Sequence, residues 1–105
     1  MDRVVFDRIL EAQKNEITEY YIYQKLSNKI KDPHNSHILE QISQDELRHH
    51  NIWKAYTQQE VQPKRFKIWF FYIIARVFGL SFSIKLMEQG EEAAQVNYDD
   101  LAKSI

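Results

Sequence analysis

Glu46 and His49 lie three residues apart in Glu46-Leu47-Arg48-His49, a spacing that puts a carboxylate and an imidazole on one face of a helix. Together they can hold one metal ion, and a hard carboxylate beside an imidazole suits iron, manganese or zinc. A Glu-x-x-His match by itself is common on helices, so its weight here comes from position and company. Two further glutamates, Glu16 and Glu91, occupy helical positions where the pattern calls for apolar residues. Two helices that each give one Glu, and two that each give Glu-x-x-His, make the carboxylate cage that holds a pair of metal ions inside a four-helix bundle. Carboxylates that bridge two cations stay ionised and satisfied, which offsets the cost of burying them. Glu19, one turn from Glu16, and Glu88 and Glu92, beside Glu91, are the rival carboxylates.

Helices must position these groups, and the apolar spacing supplies them. Leu39, Ile42, Glu46, His49, Trp53 and Tyr56 fall at steps of 3, 4, 3, 4 and 3, the spacing of a bundle helix's inward face. His50 falls off that face, towards solvent, and His34 and His37 are expected to be exposed near the helix start. Ile9, Glu16, Tyr23 and Ile30 recur every seven residues, so a glutamate again stands on an inward face, with a tyrosine one heptad later. That heptad favours Glu16 over Glu19. Helix 1 is placed at 1–31 and ends before Asp32-Pro33, because proline biases the residue before it away from helix, while Asp32 can cap a new helix with Pro33 in its first turn. Helix 2 is placed at 33–59 and is closed by a polar linker from Gln59 to Lys64 that contains Pro63. A connecting segment and helix 3 fill 65–105, with a break or kink at Gly79-Leu80-Ser81. The expected architecture is a single all-α domain over 1–105.

The third block repeats the first. Ile84, Glu91, Tyr98 and Ile105 carry the same residue types at the same steps of seven, offset by 75 positions from Ile9, Glu16, Tyr23 and Ile30, and Leu26 matches Leu101. The repeat suggests a duplicated helical hairpin of which one and a half copies are present. A second Glu-x-x-His would fall near positions 121 and 124, beyond residue 105.

Composition narrows the remaining classes. The 105 residues hold 14 Lys and Arg against 15 Asp and Glu, for a net charge of -1, which removes the general argument for nucleic-acid binding. With no cysteine, disulfides, thiolate nucleophiles and Cys-ligated zinc or iron–sulfur sites are excluded. Two glycines and two prolines are too few for a turn-rich β protein, and six Tyr, six Phe and two Trp can fill an interior. Met1-Asp2-Arg3 lacks the apolar stretch of a secretory signal, so a cytoplasmic location is expected. From Ile68 to Ile84 the chain reads IWFFYIIARVFGLSFSI, shorter than the roughly 20 apolar residues of a spanning helix and interrupted by Arg76 and Gly79. The run is expected to be a buried helix or a subunit interface, with Phe71 in the contact. Lys64, Arg65 and Lys67 just ahead of it give contact with a membrane surface on the cytoplasmic side as the next reading.

The pattern Glu16, Tyr23, Glu46-Leu47-Arg48-His49, Glu91, Tyr98 resembles the ferritin-like superfamily, specifically rubrerythrin-type di-iron proteins. The aromatic run before Ala75-Arg76, then Gly79-Leu80 and Leu86-Met87-Glu88-Gln89-Gly90-Glu91-Glu92-Ala93, is similar to ferritin-like domains at the N-terminus of vacuolar-iron-transporter-type membrane proteins. The resemblance runs from about Val5 to Ile105. It implies a ferritin-like bundle with Glu16, Glu46, His49 and Glu91 as ligands of a di-iron centre and Glu88 as an extra ligand. Tyr23 and Tyr98 would hydrogen-bond the ligand carboxylates. The implied activity is binding and oxidation of Fe(II), in the service of a membrane iron transporter. Rubrerythrin-like peroxide reduction is the alternative, with electrons from another protein, since no cysteine-rich rubredoxin module is present. The pattern departs from the family in the fourth helix with its second Glu-x-x-His. Either a longer chain supplies it, or two chains pair as a homodimer or higher oligomer, which resembles the half-bundle subunits of encapsulated ferritins. A reading outside catalysis makes the inward glutamates structural, in a helical oligomerisation module whose folding ignores metal.

Overall fold

The computed structural model describes residues 2–90, and those residues form an all-α helical bundle with no strand among them. α1 spans Arg3–Lys29, α2 spans Pro33–Thr57 and α3 spans Arg65–Phe78. After Gly79 the chain is helical again over 80–90, here termed α4. Glu91, Tyr98, Leu101 and Ile105, and with them most of the internal repeat, lie outside the described residues.

Local chemistry sets the helix ends. Asp2 caps α1 by accepting from the Val4 amide at 2.8 Å, and Asp32 caps α2 by accepting from His34 N–H at 3.0 Å, with Pro33 in the first turn. Each cap satisfies one amide that the helix itself leaves unbonded. α2 ends on Gln58, whose φ of 58° is left-handed. This conformation costs a side-chain-bearing residue about 1–2 kcal/mol, and glycine avoids that cost but adds chain entropy to the unfolded state. Gln58→Gly is therefore expected to raise stability by about 0.5 kcal/mol, read as a higher denaturation midpoint. Gly79 breaks α3 from α4 with φ 98° and ψ 158°, a region essentially reserved for glycine. A Cβ there would meet nothing within 4 Å, so the whole penalty of Gly79→Ala lies in the backbone. A loss of about 2 kcal/mol is expected in denaturant unfolding.

α1 and α2 form an antiparallel hairpin whose shared face is small and polar as well as apolar. Near the tight connection, Ser27 Oγ donates to the Ser36 carbonyl at 3.1 Å and Ser36 Oγ donates to the Ser27 carbonyl at 2.9 Å. Further along, Gln24 Nε2 donates to Ser43 Oγ at 2.7 Å and to Glu40 Oε2 at 2.8 Å. At the open end, fully buried Gln13 donates to the Gln59 carbonyl at 2.7 Å and accepts from Thr57 Oγ1 at 2.7 Å. The α2–α3 linker is tied back to α1 in turn. Lys64 N–H donates to Thr18 Oγ1 at 2.8 Å, and Lys64 Nζ reaches Glu11 Oε1 at 2.5 Å and Asn15 Oδ1 at 2.9 Å. That hydrogen bond holds the Glu11 carboxyl below its ordinary pKa.

The apolar core lies towards the other end, where Ile22, Tyr23 and Leu26 of α1 and Leu39 of α2 pack with Phe71 of α3 and Met87 of α4. Ser83 Oγ donates to the Phe71 carbonyl at 2.9 Å and pins α4 to α3. Phe71 is therefore a core residue. Of the two readings of this run, a buried helix or a subunit interface, the first holds for Phe71, because the face of α3 turned inward onto Leu26 and Leu39 carries it. No helix among the described residues is long and apolar enough to cross a membrane.

Candidate metal centre

Two turns separate Glu16 from Ile9 on one side and from Tyr23 on the other, and all three are buried on the face of α1 that meets α2. The heptad thus places a carboxylate inside the hairpin. Across from it, Glu46 and His49 lie one turn apart on α2. One ligand atom from each of Glu16, Glu46 and His49 lies within 4.8 Å of the other two. Among the described residues this is the group of three or more carboxylate and imidazole side chains so arranged.

The three differ in exposure. Glu16 is 5% exposed, Glu46 is half-buried, and the His49 side chain is 46% exposed. Glu16 Oε2 is buried and stands 3.6 Å from His49 Nδ1, inside ion-pair distance and just beyond a hydrogen bond. The cluster therefore has a carboxylate floor on α1 and an imidazole rim on α2, open on the side where His49 meets solvent. Ligands about 2.1 Å from one ion stand no more than about 4.2 Å apart, so small side-chain rotations bring these three atoms to coordinating separation. The donor set fits a divalent first-row cation: two hard carboxylates and one borderline imidazole.

The remaining site expectations divide. Glu19 is buried one turn along from Glu16 but is not among the three residues whose ligand atoms converge. Glu88 is exposed on α4. Glu91 and Tyr98 lie outside the described residues. Tyr23 is 2% exposed and belongs to the apolar cluster with Leu26 and Leu39.

Three placements on α2 are corrected. His50, placed towards solvent by the apolar spacing, is buried, with its Nδ1 3.1 Å from the Gln13 carbonyl. Tyr56, placed inward, is largely exposed, and His49 sits on the rim and not at the centre of the interface. The packed face of α2 is turned by about one residue, because α1 approaches closely where Ser43 and Thr57 are small and hydrogen-bonded to Gln24 and Gln13. Half-buried Ser36 and buried Ser43, His50 and Thr57 recur every seven residues. That polar heptad was the available signal for His50. His34 and His37 are exposed, as expected.

The chain matches no protein-family model, no curated protein and no solved structure.

Proposed function

We propose that this bundle binds divalent iron between α1 and α2 and promotes its oxidation, with Glu16, Glu46 and His49 as ligands. The observation that carries the reading is the convergence of those three side chains within 4.8 Å, two carboxylates and an imidazole from two helices. The sequence resemblance to ferritin-like di-iron proteins adds Glu91, and with it a second metal ion, to the proposed centre. Iron bound there supplies one-electron redox chemistry towards oxygen or peroxide.

The chain's own contribution follows from where the ligands stand. Burial of Glu16 keeps one carboxylate in low dielectric, where its attraction for a cation is stronger than in water. Glu46, half-buried, would supply the second carboxylate to the ion from α2. His49, on the open side, gives Fe(II) and a small oxidant a route to the buried carboxylate without parting the helices. The polar stitches at Gln13 and Gln24 hold α1 against α2 on either side of the cluster, so the ligands need not assemble from separate mobile elements.

The test is anaerobic loading with Fe(II), followed by oxygen. Oxidation faster than in protein-free buffer and faster than in Glu46→Ala supports the reading. Tight binding without faster oxidation would leave a metal-binding module and remove the oxidase. Loss of added peroxide with electrons from an external donor would identify a peroxide reductase at the same ligands.

A further inference from the structure

α3 carries one apolar stripe too many. Its inward side, through Ile68, Phe71 and Ala75, packs on the core. At 3.6 residues per turn, Phe66, Phe70, Ile73 and Val77 fall within another arc of about 60°, and each is more than half exposed, Phe66 at 95%. Trp69 borders the stripe, and Phe78 continues it to Phe82 of α4, with ring centroids 5.4 Å apart. On the same helical projection, Arg65 and Arg76 flank one edge of the stripe and Lys67 the other. Lys25 of α1 adds a cation, its Nζ 4.1 Å above the Trp69 ring.

Charge identifies the occupant. From Val61 to Met87 there are five cations and no carboxylate. Glu11 of α1 engages Lys64, and Lys85 lies on α4, which leaves Arg65, Lys67 and Arg76 around the stripe. A second copy docked through this face would bring like charges together along both edges. An apolar stripe between rows of cations, on a helix too short to span, instead matches a bilayer surface rich in anionic lipid. We propose that α3 is a membrane-surface helix that docks this protein on anionic lipid, with Phe66, Phe70, Ile73 and Val77 entering the headgroup boundary and Arg65, Lys67 and Arg76 meeting the phosphates.

The experiment is co-sedimentation of the protein with vesicles of phosphatidylcholine alone or of equimolar phosphatidylcholine and phosphatidylglycerol. Binding to the anionic vesicles, weakened by salt and at least tenfold weaker to phosphatidylcholine alone, is expected. The double variant Arg65→Gln, Lys67→Gln is expected to lower partitioning by about 25-fold, fivefold for each charge removed, and Phe66→Ser by about tenfold. In a Trp53→Phe background, quenching of Trp69 by brominated anionic lipid reads the docking without altering the face. Absence of binding to anionic vesicles, or binding that ignores these variants and leaves Trp69 unquenched, overturns the proposal. So does a dimer that Phe66→Asp converts to monomer with no vesicle binding, which would assign the face to self-association. Neither readout involves the metal ligands.

Discussion

Glu46→Ala and His49→Ala are each expected to weaken Fe(II) binding by about 100-fold or more, since even partners that merely orient a ligand are worth 10- to 100-fold. Helical content should stay at the parent level. Both positions lie on the half-open side of the hairpin, where truncation leaves no enclosed cavity, and the stitches through Gln13, Gln24 and Ser27 lie elsewhere. Isothermal titration under anaerobic conditions, paired with circular dichroism, reads both halves of this expectation. Glu19→Ala is the matched control on α1, expected to change affinity by no more than about twofold, because Glu19 stands outside the convergent group. A large loss there, with Glu16→Ala silent, would move the α1 ligand by one turn.

Metal should also stabilise the fold strongly. Glu16 lies on α1, while Glu46 and His49 lie on α2, so one ion joins the two arms of the hairpin. In the unfolded chain Glu16 stands thirty positions from Glu46 and thirty-three from His49, so the set offers little preformed affinity. A ligand that binds only the folded state at 100 times its Kd adds about 2.7 kcal/mol. In a domain of this size that is a rise of about 10–20 °C in Tm. Thermal melts with and without anaerobic Fe(II) check it, and the rise should vanish in Glu46→Ala. An equal rise in parent and variant would place the stabilising ion elsewhere.

Much of this arrangement was legible in the sequence, and the failures have one cause. The seven-residue recurrence of Ile9, Glu16, Tyr23 and Ile30 correctly marked the inner face of α1, because there large apolar residues do the packing. The Asp32-Pro33 and Gly79 boundaries were readable because they rest on local chemistry: a capping side chain, a fixed φ, and a φ that only glycine adopts cheaply. On α2 the apolar spacing pointed about one residue away from the packed face. The close approach to α1 is made there by Ser43, His50 and Thr57, whose contribution is hydrogen bonding across the hairpin, and hydropathy does not register that. Glu46 and His49 still reach Glu16 because a spacing of three straddles the edge of the interface. For Phe71 the sequence leaves a buried helix and a subunit interface both open, for a related reason. α3 is apolar on two sides, and only the tertiary contacts with Leu26 and Leu39 distinguish the core side from the exposed one.

The most direct test of the proposed centre is metal content per chain after anaerobic Fe(II) loading and removal of free iron, with Glu46→Ala treated in parallel. At least one iron retained per parent chain, and essentially none in the variant, is the result that the convergence of Glu16, Glu46 and His49 requires. No retained iron in the parent, or equal retention in both proteins, would contradict it and make the buried carboxylate of Glu16 a structural group.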